Sequence, residues 1–414
     1  MNFEYPEETR ALIDKATAFF YAELLPRHRE WVQTVRREGK PAAFITEIQA
    51  KARNQGLWNL ALPALADDEP GTRLSNLEFA PIAELLGRLP WASMAFNCHA
   101  PEVPNMAMLQ AIATPAQKER WLKPLLNAQT RSSFAMTEPA VASSDATNIS
   151  TTIDHDGDDL VINGHKWFAT GGAHPDCSFL IVMGVSDPEA SRTSRHSMVI
   201  VPTDTPGVTI KRELNFMGWD DYVAPIAEID FTNVRVPAAN LLGERGAGFK
   251  GAQIRLGPAR IHHCMRCIGM AEMLVEQMMA RASERKTFGK TLVEYDTIQK
   301  WIAEARIDIN QTRLFIQHAA WLLDTSPDKN TWQATSEVKV ATPRMLQRIA
   351  DRALQLFGAK GGTDDMLIHH AHSYARWLRL GDGPDEVHLR QLFRNEPMPA
   401  WTIEDCPYIA SPTG

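Results

Sequence analysis

The sequence predicts an α+β protein in which a helical part, a β-rich part and a second helical part follow one another. Apolar residues recur at helical spacing over residues 9–25 and 44–57. Short β-rich runs separated by turn residues replace this pattern after residue 131, and long helical patterns return after residue 241. A chain of 414 residues exceeds the size at which one hydrophobic core stops growing, so we expect several domains.

These changes of pattern divide the chain into four segments. The first helical part contains a clear helix start, because Thr114 and Gln117 can form a capping box with Pro115 in the first turn. The last segment is rich in proline and ends on glycine, which is typical of a surface tail. We expect an N-terminal α-helical domain over residues 1–130, a middle β-domain over 131–242, a C-terminal α-helical bundle over 243–400 and a tail over 401–414.

The β-rich runs lie at regular intervals, which favours a small antiparallel barrel or sandwich. Asp156 and Gly157 separate the first two runs and indicate a hairpin turn. The runs cover residues 151–153, 160–162, 179–185, 198–201, 208–211 and 226–231. The later helical patterns indicate a four-helix bundle and cover residues 265–282, 295–323, 333–357 and 386–393.

The composition is that of a globular protein and disfavours a nucleic-acid or membrane function. The 43 basic and 50 acidic residues give a net charge of −7, which argues against wide electrostatic capture of nucleic acid. No apolar run approaches the roughly 18 residues that a membrane-spanning helix needs. The first residues are acidic rather than basic and apolar, so we expect a cytoplasmic protein, or a mitochondrial matrix protein if it is eukaryotic and already processed.

Two short patterns invite functional readings that their contexts disfavour. Cys264 and Cys267 form a Cys-x-x-Cys, but they lie in an apolar helical pattern without a second pair, so we expect buried thiols and no metal site. Gly246, Gly248 and Gly251 fit G-x-G-x-x-G, the dinucleotide-binding expression. A proline-bearing loop precedes them, and no βαβ pattern follows, so we expect a linker that opens a helix.

The stretch from residue 134 to residue 170 holds the richest chemical pattern. It contains a Thr-Glu-Pro turn at 137–139, small polar residues at 143–145, and Trp167 behind a short strand. Free backbone N–H groups, hydroxyls and an indole can together surround a flat aromatic cofactor. This block resembles the flavin-binding strand region of the acyl-CoA dehydrogenase family.

Four further blocks resemble the same family in the family's order. They cover residues 230–243, 285–289, 355–362 and 381–388, and the resemblance extends over about residues 90–395. It implies an acyl-CoA dehydrogenase-like fold with FAD as cofactor. The activity it implies is that of an FAD-dependent acyl-CoA dehydrogenase, an oxidoreductase of fatty acid metabolism that passes electrons to an electron-transfer flavoprotein.

The resemblance implies that Met136, Thr137 and Trp167 contact the flavin. It also implies that Ser144 makes a polar contact near the cofactor or the pantetheine. Thr170 corresponds to a hydroxyl residue near the flavin, although it stands one place later than in the family. The stretch after Pro139 is also one residue longer than the common pattern. We therefore expect a flavin edge that differs from the usual one.

A second group resembles residues that reach the FAD of a neighbouring subunit. A guanidinium pairs well with a pyrophosphate, and glycines let backbone N–H groups approach it. If the correspondence holds, the site is completed in a homodimer or a homotetramer, between which the sequence does not decide. The group consists of Arg285, Phe288, Gln355, Gly358 and Gly361.

Asp382 stands where the family usually has the Glu that removes the α-proton of the thioester while the β-hydrogen leaves as hydride to flavin N5. It keeps the carboxylate but is one methylene shorter, and a shift of about 1 Å in a reacting group can cost on the order of a hundredfold in rate. Some branches place the base just before a substrate-side arginine, which corresponds here to Ala259, before Arg260. Asp382 is therefore the matched candidate, while Asp385 and Glu386 suit a helix N-terminus.

Basic residues cluster on the helix that would face this base. Arg260, His262, His263 and Arg266 resemble a branch linked to 4-hydroxyacyl-CoA breakdown, in some members with the hydroxyl phosphorylated. They could bind a polar or anionic substituent of the acyl-CoA substrate. Adjacent histidines point to different sides of a helix, so at most one of the pair would face the acyl cavity. Acyl length and the nature of the substituent stay open.

Two other functions compete with this one. A nitroalkane-oxidase-like flavoprotein would also use Asp382 as base and would return its electrons to oxygen. A non-catalytic, nucleic-acid-associated member of the fold would need a basic face, which a net charge of −7 disfavours.

Overall fold

The computed structural model describes residues 4–39, 41–218, 221–326, 329–403 and 406–408, so part of the predicted tail lies outside the described residues. The first part of the chain is helical, as predicted. The periodic stretch 9–25 forms a helix that continues into a π-helical turn over Phe20–Leu24. The helices are α1 (Glu7–Phe19), α2 (His28–Glu38), α3 (Phe44–Asn54), α4 (Asn76–Leu86), α5 (Ala92–Ala95), α6 (Glu102–Ile112), α7 (Pro115–Gln117) and α8 (Lys123–Leu126).

The predicted capping box at Thr114 is confirmed. The side chain of Thr114 accepts a hydrogen bond from the backbone N–H of Gln117, and Oε1 of Gln117 accepts one from the backbone N–H of Thr114 at 3.0 Å. The box starts only the short helix α7, which passes into a π-helical turn over Lys118–Leu122. A second capping box, between Ser75 and Glu78, begins α4. Each box satisfies backbone donors that the first helical turn leaves without partners.

The middle part is a twisted sheet with strand order β6-β7-β3-β2-β4-β5-β8, and β1 pairs with β4 off this path. The hairpin at Gly157 joins β2 to β3 as predicted. The strands are β1 (Arg131–Ala135), β2 (Thr152–Asp156), β3 (Asp159–Ala169), β4 (Cys177–Val185), β5 (His196–Pro202), β6 (Val208–Leu214), β7 (Ile226–Pro237) and β8 (Leu241–Leu242).

The predicted antiparallel sheet also contains two parallel pairings. Strand β1 pairs with β4 in the parallel sense, with Ser133 opposite Leu180, and Thr152 pairs in the same sense with Val185. Strand β1 enters from the helical part, whereas antiparallel neighbours joined by a hairpin must reverse direction. Strands β3 and β7 are also longer than predicted. Their longer ladder carries residues 165–169 to the rim of the sheet.

The C-terminal helices pack side by side, as the bundle prediction requires. The residues of the G-x-G-x-x-G expression open α9, so their interpretation as a helix-opening linker is confirmed. Cys264 and Cys267 lie buried as free thiols in the same helix, also as predicted. The elements are α9 (Gly248–Glu284), the hairpin of β9 (Lys286–Thr287) and β10 (Lys290–Thr291), α10 (Asp296–Thr325), α11 (Lys329–Phe357), α12 (Ile368–Leu378) and α13 (Asp385–Asn395).

One apolar core joins the two helical parts. Helices α4 and α9 approach so closely that a Cβ atom added at Gly269 would collide with the backbone of Glu84, and one added at Gly87 would collide with the backbone of Arg266. Glycine therefore sets the distance between these helices. Trp121 and Phe179, with ring centroids 5.0 Å apart, connect this core to the sheet. None of the helices in the described ranges combines the length and apolar character needed to cross a membrane.

Candidate active site

A cavity of about 290 Å³ lies where the helical parts and the sheet meet. Its volume and its mixed apolar and polar wall are those of a small-molecule site. The helical bundle contributes charged and aromatic side chains, and Thr170, the residue after β3, comes from the sheet part. The wall residues used below are Thr170, Asp221, Arg255, His263, Arg266, Tyr374, Trp377 and Asp382.

Asp382 lies in the turn between α12 and α13, where its φ of 54° is in the left-handed region. Aspartate is among the few residues that tolerate this conformation at modest cost. Cationic side chains hold the backbone of the turn. Nε of Arg260 donates to the carbonyl of Asp382 at 2.9 Å, and Nζ of Lys339 donates to the carbonyls of Gly383, at 3.3 Å, and Leu378. The turn is therefore fixed by its main chain, which leaves the carboxylate to face the cavity.

The carboxyl group of Asp382 is ionised at neutral pH. Burial by itself would raise its pKa, but His263, Arg255 and Lys339 offset that effect, and the pKa is lowered from its ordinary value. Burial and the charge of Arg266 lower the pKa of His263 to about 3, so this imidazole is neutral at neutral pH. The cations that keep Asp382 ionised there are consequently Arg255, Lys339 and Arg260.

His263 lies directly against the carboxylate. Its Nε2 is 3.6 Å from Oδ2 of Asp382, and the two side chains are 8% and 18% exposed. On the other side of the ring, Nδ1 lies 2.6 Å from the hydroxyl of Tyr374 and 2.9 Å from Nη2 of Arg266. The ring of Trp377 packs edge-on at 5.4 Å. The imidazole is thus held on every side by α9, α12 and the turn that carries Asp382.

The structure does not bring all four predicted basic residues to the cavity. His263 and Arg266 line it, whereas His262 points into the helical core. Nε2 of His262 lies 3.1 Å from the amide oxygen of Asn76, and its ring packs edge-on against Phe79. Arg260 is bound to the main chain of the Asp382 turn. The substrate-binding roles expected for His262 and Arg260 therefore lack support in the geometry.

The predicted flavin-side residues meet at the rim of the sheet. The backbone N–H of Trp167 donates to the carbonyl of Thr137 at 3.0 Å, and Nζ of Lys166 donates to the carbonyl of Met136 at 2.8 Å. Thr170 lies on the cavity wall. Ser144, by contrast, is exposed and lies outside the cavity.

An unsatisfied donor marks this rim as a place for a polar ligand. The indole N–H of Trp167 is buried and has no hydrogen-bond partner among the described residues. A buried donor without a partner costs about 1–3 kcal/mol, which a ligand acceptor would recover. The indole therefore fits a polar aromatic cofactor at this edge.

The five residues expected to reach a neighbouring subunit lie apart from this cavity. Arg285 and Phe288 stand at the end of α9 and on the β9–β10 hairpin, and Gln355 and Gly358 stand at the end of α11. The guanidinium of Arg281 over the ring of Phe357 joins these two helix ends. Phe288 is 97% exposed, and Arg285, Gln355 and Gly358 are exposed too, whereas Gly361 is buried. None of the five lines the cavity of its own chain.

Comparison with known proteins identifies the family. Sequence models of the N-terminal, middle and C-terminal domains of acyl-CoA dehydrogenase match residues 6–129, 133–234 and 246–396. The chain belongs to the acyl-CoA dehydrogenase family. It is accordingly an FAD-dependent oxidoreductase with the three-part fold of that family.

Relatives in several organisms agree with this assignment. The probable acyl-CoA dehydrogenase FadE2 of Mycobacterium tuberculosis is 48% identical over 354 residues, or 85% of each chain. Acyl-CoA dehydrogenase family member 11 of Homo sapiens is 41% identical over 94% of this chain, which spans only 50% of that longer protein. A solved structure from Mycobacterium abscessus with the same family name superposes with a TM-score of 0.90 at 46% identity, covering 95% of this chain and 98% of that one.

Sequence reasoning missed three residues around the carboxylate of Asp382 and His263. Arg255 is buried, donates from Nε to the amide oxygen of Asn105 at 2.8 Å, and lies over the ring of Phe134. Lys339 is fully buried behind the Asp382 turn, and Tyr374 lies behind His263. Arg255 and Lys339 are charged residues inside otherwise apolar helical patterns. A charged residue in such a pattern was the signal that could have indicated these residues, because a buried charge needs a specific partner.

Proposed function

We propose that this protein removes the α- and β-hydrogens of an acyl-CoA thioester to form the 2-enoyl-CoA, and that Asp382 is the base that takes the α-proton. The observation that carries the proposal is the carboxylate of Asp382, which is ionised, 18% exposed and on the wall of the cavity. When bound, FAD accepts the hydrogen that leaves Cβ as hydride. Met136, Thr137, Trp167 and Thr170 would hold its ring at the rim of the sheet.

Asp221, a second carboxyl group on the cavity wall, suits this role less well. Asp221 accepts hydrogen bonds from the backbone N–H groups of Val223 and Ala224 at 3.0 and 3.1 Å, so it closes its own loop. Burial raises the pKa of Asp221, which favours its protonated form. A base must be ionised before it can accept a proton, and this requirement favours Asp382.

Anaerobic mixing of the holoenzyme with acyl-CoA esters tests the proposal. We expect the flavin absorbance to bleach after mixing, and the product to be the 2-enoyl thioester. Rapid peroxide formation from nitroalkanes, without any response to CoA esters, would instead favour the nitroalkane-oxidase-like function, which also suits an aspartate base. Oxidation of the reduced enzyme by an electron-transfer flavoprotein tests the proposed electron acceptor.

We infer further that the acyl chain carries an oxygen substituent at C4. Support comes from the cavity wall near Asp382, where Arg266, Tyr374 and Ser373 place polar groups among apolar ones. Charged and hydroxyl donors of this kind stabilise a hydroxyl or a phosphate better than a methylene.

A panel of esters tests this specificity. We expect 4-hydroxyacyl-CoA or 4-phosphorylated acyl-CoA to reduce the flavin about tenfold or more faster, as kcat/KM, than unsubstituted esters of the same length, since a site that binds a polar group discriminates against its absence. Equal efficiency across the panel would contradict the inference. The panel also ranks acyl length.

We propose that the site is completed by a second copy of the chain in a homodimer or a homotetramer. Exposed Arg285, Gln355 and Gly358 would bind the FAD of the neighbouring subunit. We expect Arg285→Gln to lower the FAD content of the purified protein, because one charge-assisted contact to the cofactor is lost. Lys290→Gln, an exposed change on the same hairpin, is the control and should retain its FAD. Equal FAD content in the two variants would count against the shared site.

A further inference from the structure

The hydrogen bonds of His263 determine which of its ring nitrogens carries the proton. Nη2 of Arg266 lies 2.9 Å from Nδ1, and a guanidinium can only donate. The hydroxyl of Tyr374 lies 2.6 Å from the same nitrogen, and burial raises the pKa of this phenol well above its ordinary value, so it keeps its proton. Nδ1 must therefore be the acceptor. In the neutral ring the proton is then on Nε2.

This tautomer directs an N–H group at the base. Nε2 lies 3.6 Å from Oδ2 of Asp382, slightly beyond hydrogen-bond length, and a small rotation of either side chain would close the gap. The cations near Asp382 bind other groups: Arg260 and Lys339 bind the main chain of the turn, and Arg255 binds Asn105. His263 is thus the side chain placed to orient the carboxylate itself.

We propose that His263, held as its Nε2–H tautomer by Arg266 and Tyr374, is the positioning residue of Asp382: it engages Oδ2 so that Oδ1 faces the acyl α-carbon. The proposal rests on the proposed role of Asp382 as the base. It also assigns His263 to the base rather than to the substrate.

A neutral donor suits this task better than a charged one. An aspartate is one methylene shorter than the glutamate that the family resemblance leads one to expect, so its carboxylate has less freedom to find the reacting hydrogen. An N–H group that fixes one oxygen limits rotation about the Cβ–Cγ bond. An imidazolium would do the same but would stabilise the carboxylate more strongly and weaken it as a base. Burial and the neighbouring guanidinium of Arg266 both oppose that charge, because a buried second cation next to a guanidinium is unfavourable.

The test measures flavin reduction in the holoenzyme, mixed anaerobically with the acyl-CoA ester that reduces the wild-type flavin fastest. We expect His263→Leu to lower the limiting rate about a hundredfold, the cost typical of a reacting group misplaced by about 1 Å, with the Kd for the ester changed less than about threefold. His263→Gln should restore the rate to within about tenfold of wild type, since the amide nitrogen of glutamine can take the place of Nε2.

The pH dependence provides a readout that a merely structural role would not move. The groups that face Asp382 are His263, Arg255 and Arg260 from α9, Lys339 from α11 and His388 from α13. Loss of the His263 N–H removes one group that stabilises the ionised form of Asp382. The acid limb of the plot of flavin-reduction rate against pH should therefore move to higher pH in His263→Leu. In His263→Gln it should return towards the wild-type position.

His262→Leu is the matched control. His262 is the adjacent residue, equally buried, but it contacts Asn76 rather than Asp382. It should cost a similar loss of thermal stability without moving the acid limb. If His263→Leu does not retain FAD, His263→Asn replaces it, because the amide oxygen of asparagine can take the place of the acceptor Nδ1 while its short side chain leaves no donor at the position of Nε2.

A wild-type rate and an unmoved acid limb in the His263→Leu or His263→Asn variant would overturn the proposal. Equal rate losses in the His262 and His263 variants, with the acid limb unmoved in both, would overturn it as well. Failure of the proposed base has a different signature: Asp382→Asn would then still reduce the flavin at the wild-type rate.

Discussion

Asp382→Asn is expected to lower the rate of flavin reduction by acyl-CoA by at least about a thousandfold, because general-base catalysis contributes about 10²–10⁴-fold and the described residues of the cavity wall offer no equivalent base. The amide matches the carboxylate in size and cannot accept the α-proton. Arg260 and Lys339 hold the main chain of the turn, so the loop should keep its conformation. Stopped-flow absorbance of the flavin under anaerobic conditions measures the effect.

Two further variants control this experiment. Glu386→Gln removes an exposed carboxylate from the first turn of the following helix and should reduce flavin at the wild-type rate. Asp382→Glu keeps the carboxylate but displaces it, so an intermediate loss on the order of a hundredfold is expected. Wild-type bleaching in Asp382→Asn would show that the α-proton goes to another group.

Lys166→Met should reduce the free energy of unfolding by about 3–5 kcal/mol, because it leaves a buried carboxylate without its counter-charge. Lys166 is fully buried, and its Nζ donates to Oε1 of Glu138 and to the carbonyl of Met136, both at 2.8 Å. Glu138 also accepts from Ser150 and Thr151. The variant should lose FAD more readily too, since the Met136 turn loses its anchor. Urea-induced unfolding and FAD content measure the two effects.

An exposed ion pair provides the comparison. Lys123→Met breaks the exposed pair with Glu119 and should cost about 0–1 kcal/mol. The double variant Lys166→Met/Glu138→Gln should recover part of the loss, because it removes the uncompensated charge. A cost below 1 kcal/mol for Lys166→Met would contradict the assignment of this pair as a buried anchor.

The same pair predicts how stability responds to acid. Burial opposes ionisation of Glu138. The charge of Lys166 and the hydrogen bonds that Glu138 accepts nevertheless lower the pKa of Glu138 to about 2. The unfolded chain binds this proton near pH 4.3, so the contribution of the pair is complete above that value and is lost as pH falls towards 2. The loss of stability over this interval should be smaller in Lys166→Met than in wild type.

Local patterns were sufficient for much of the architecture. The helical periods, the capping box at Thr114 and the hairpin at Gly157 involve residues a few positions apart, and they correspond to α3, α7, the β2–β3 turn and the long helices of the bundle. The pairing of β1 with β4 could not be predicted in this way. It joins strands some 45 residues apart in the sequence, and the direction of such a pairing depends on the path of the whole chain.

The candidate site shows the same difference between local and long-range information. The sequence by itself determined the family, the FAD dependence and the candidate base, because short blocks around Trp167, Arg285 and Asp382 carry that information. Only the tertiary structure decided that His263 rather than His262 meets Asp382, and that Arg255, Lys339 and Tyr374 surround them. Neighbouring residues on a helix point about 100° apart, so packing alone selects the one that faces the cavity. Burial likewise decides which charges need partners, and those partners come from helices distant in sequence.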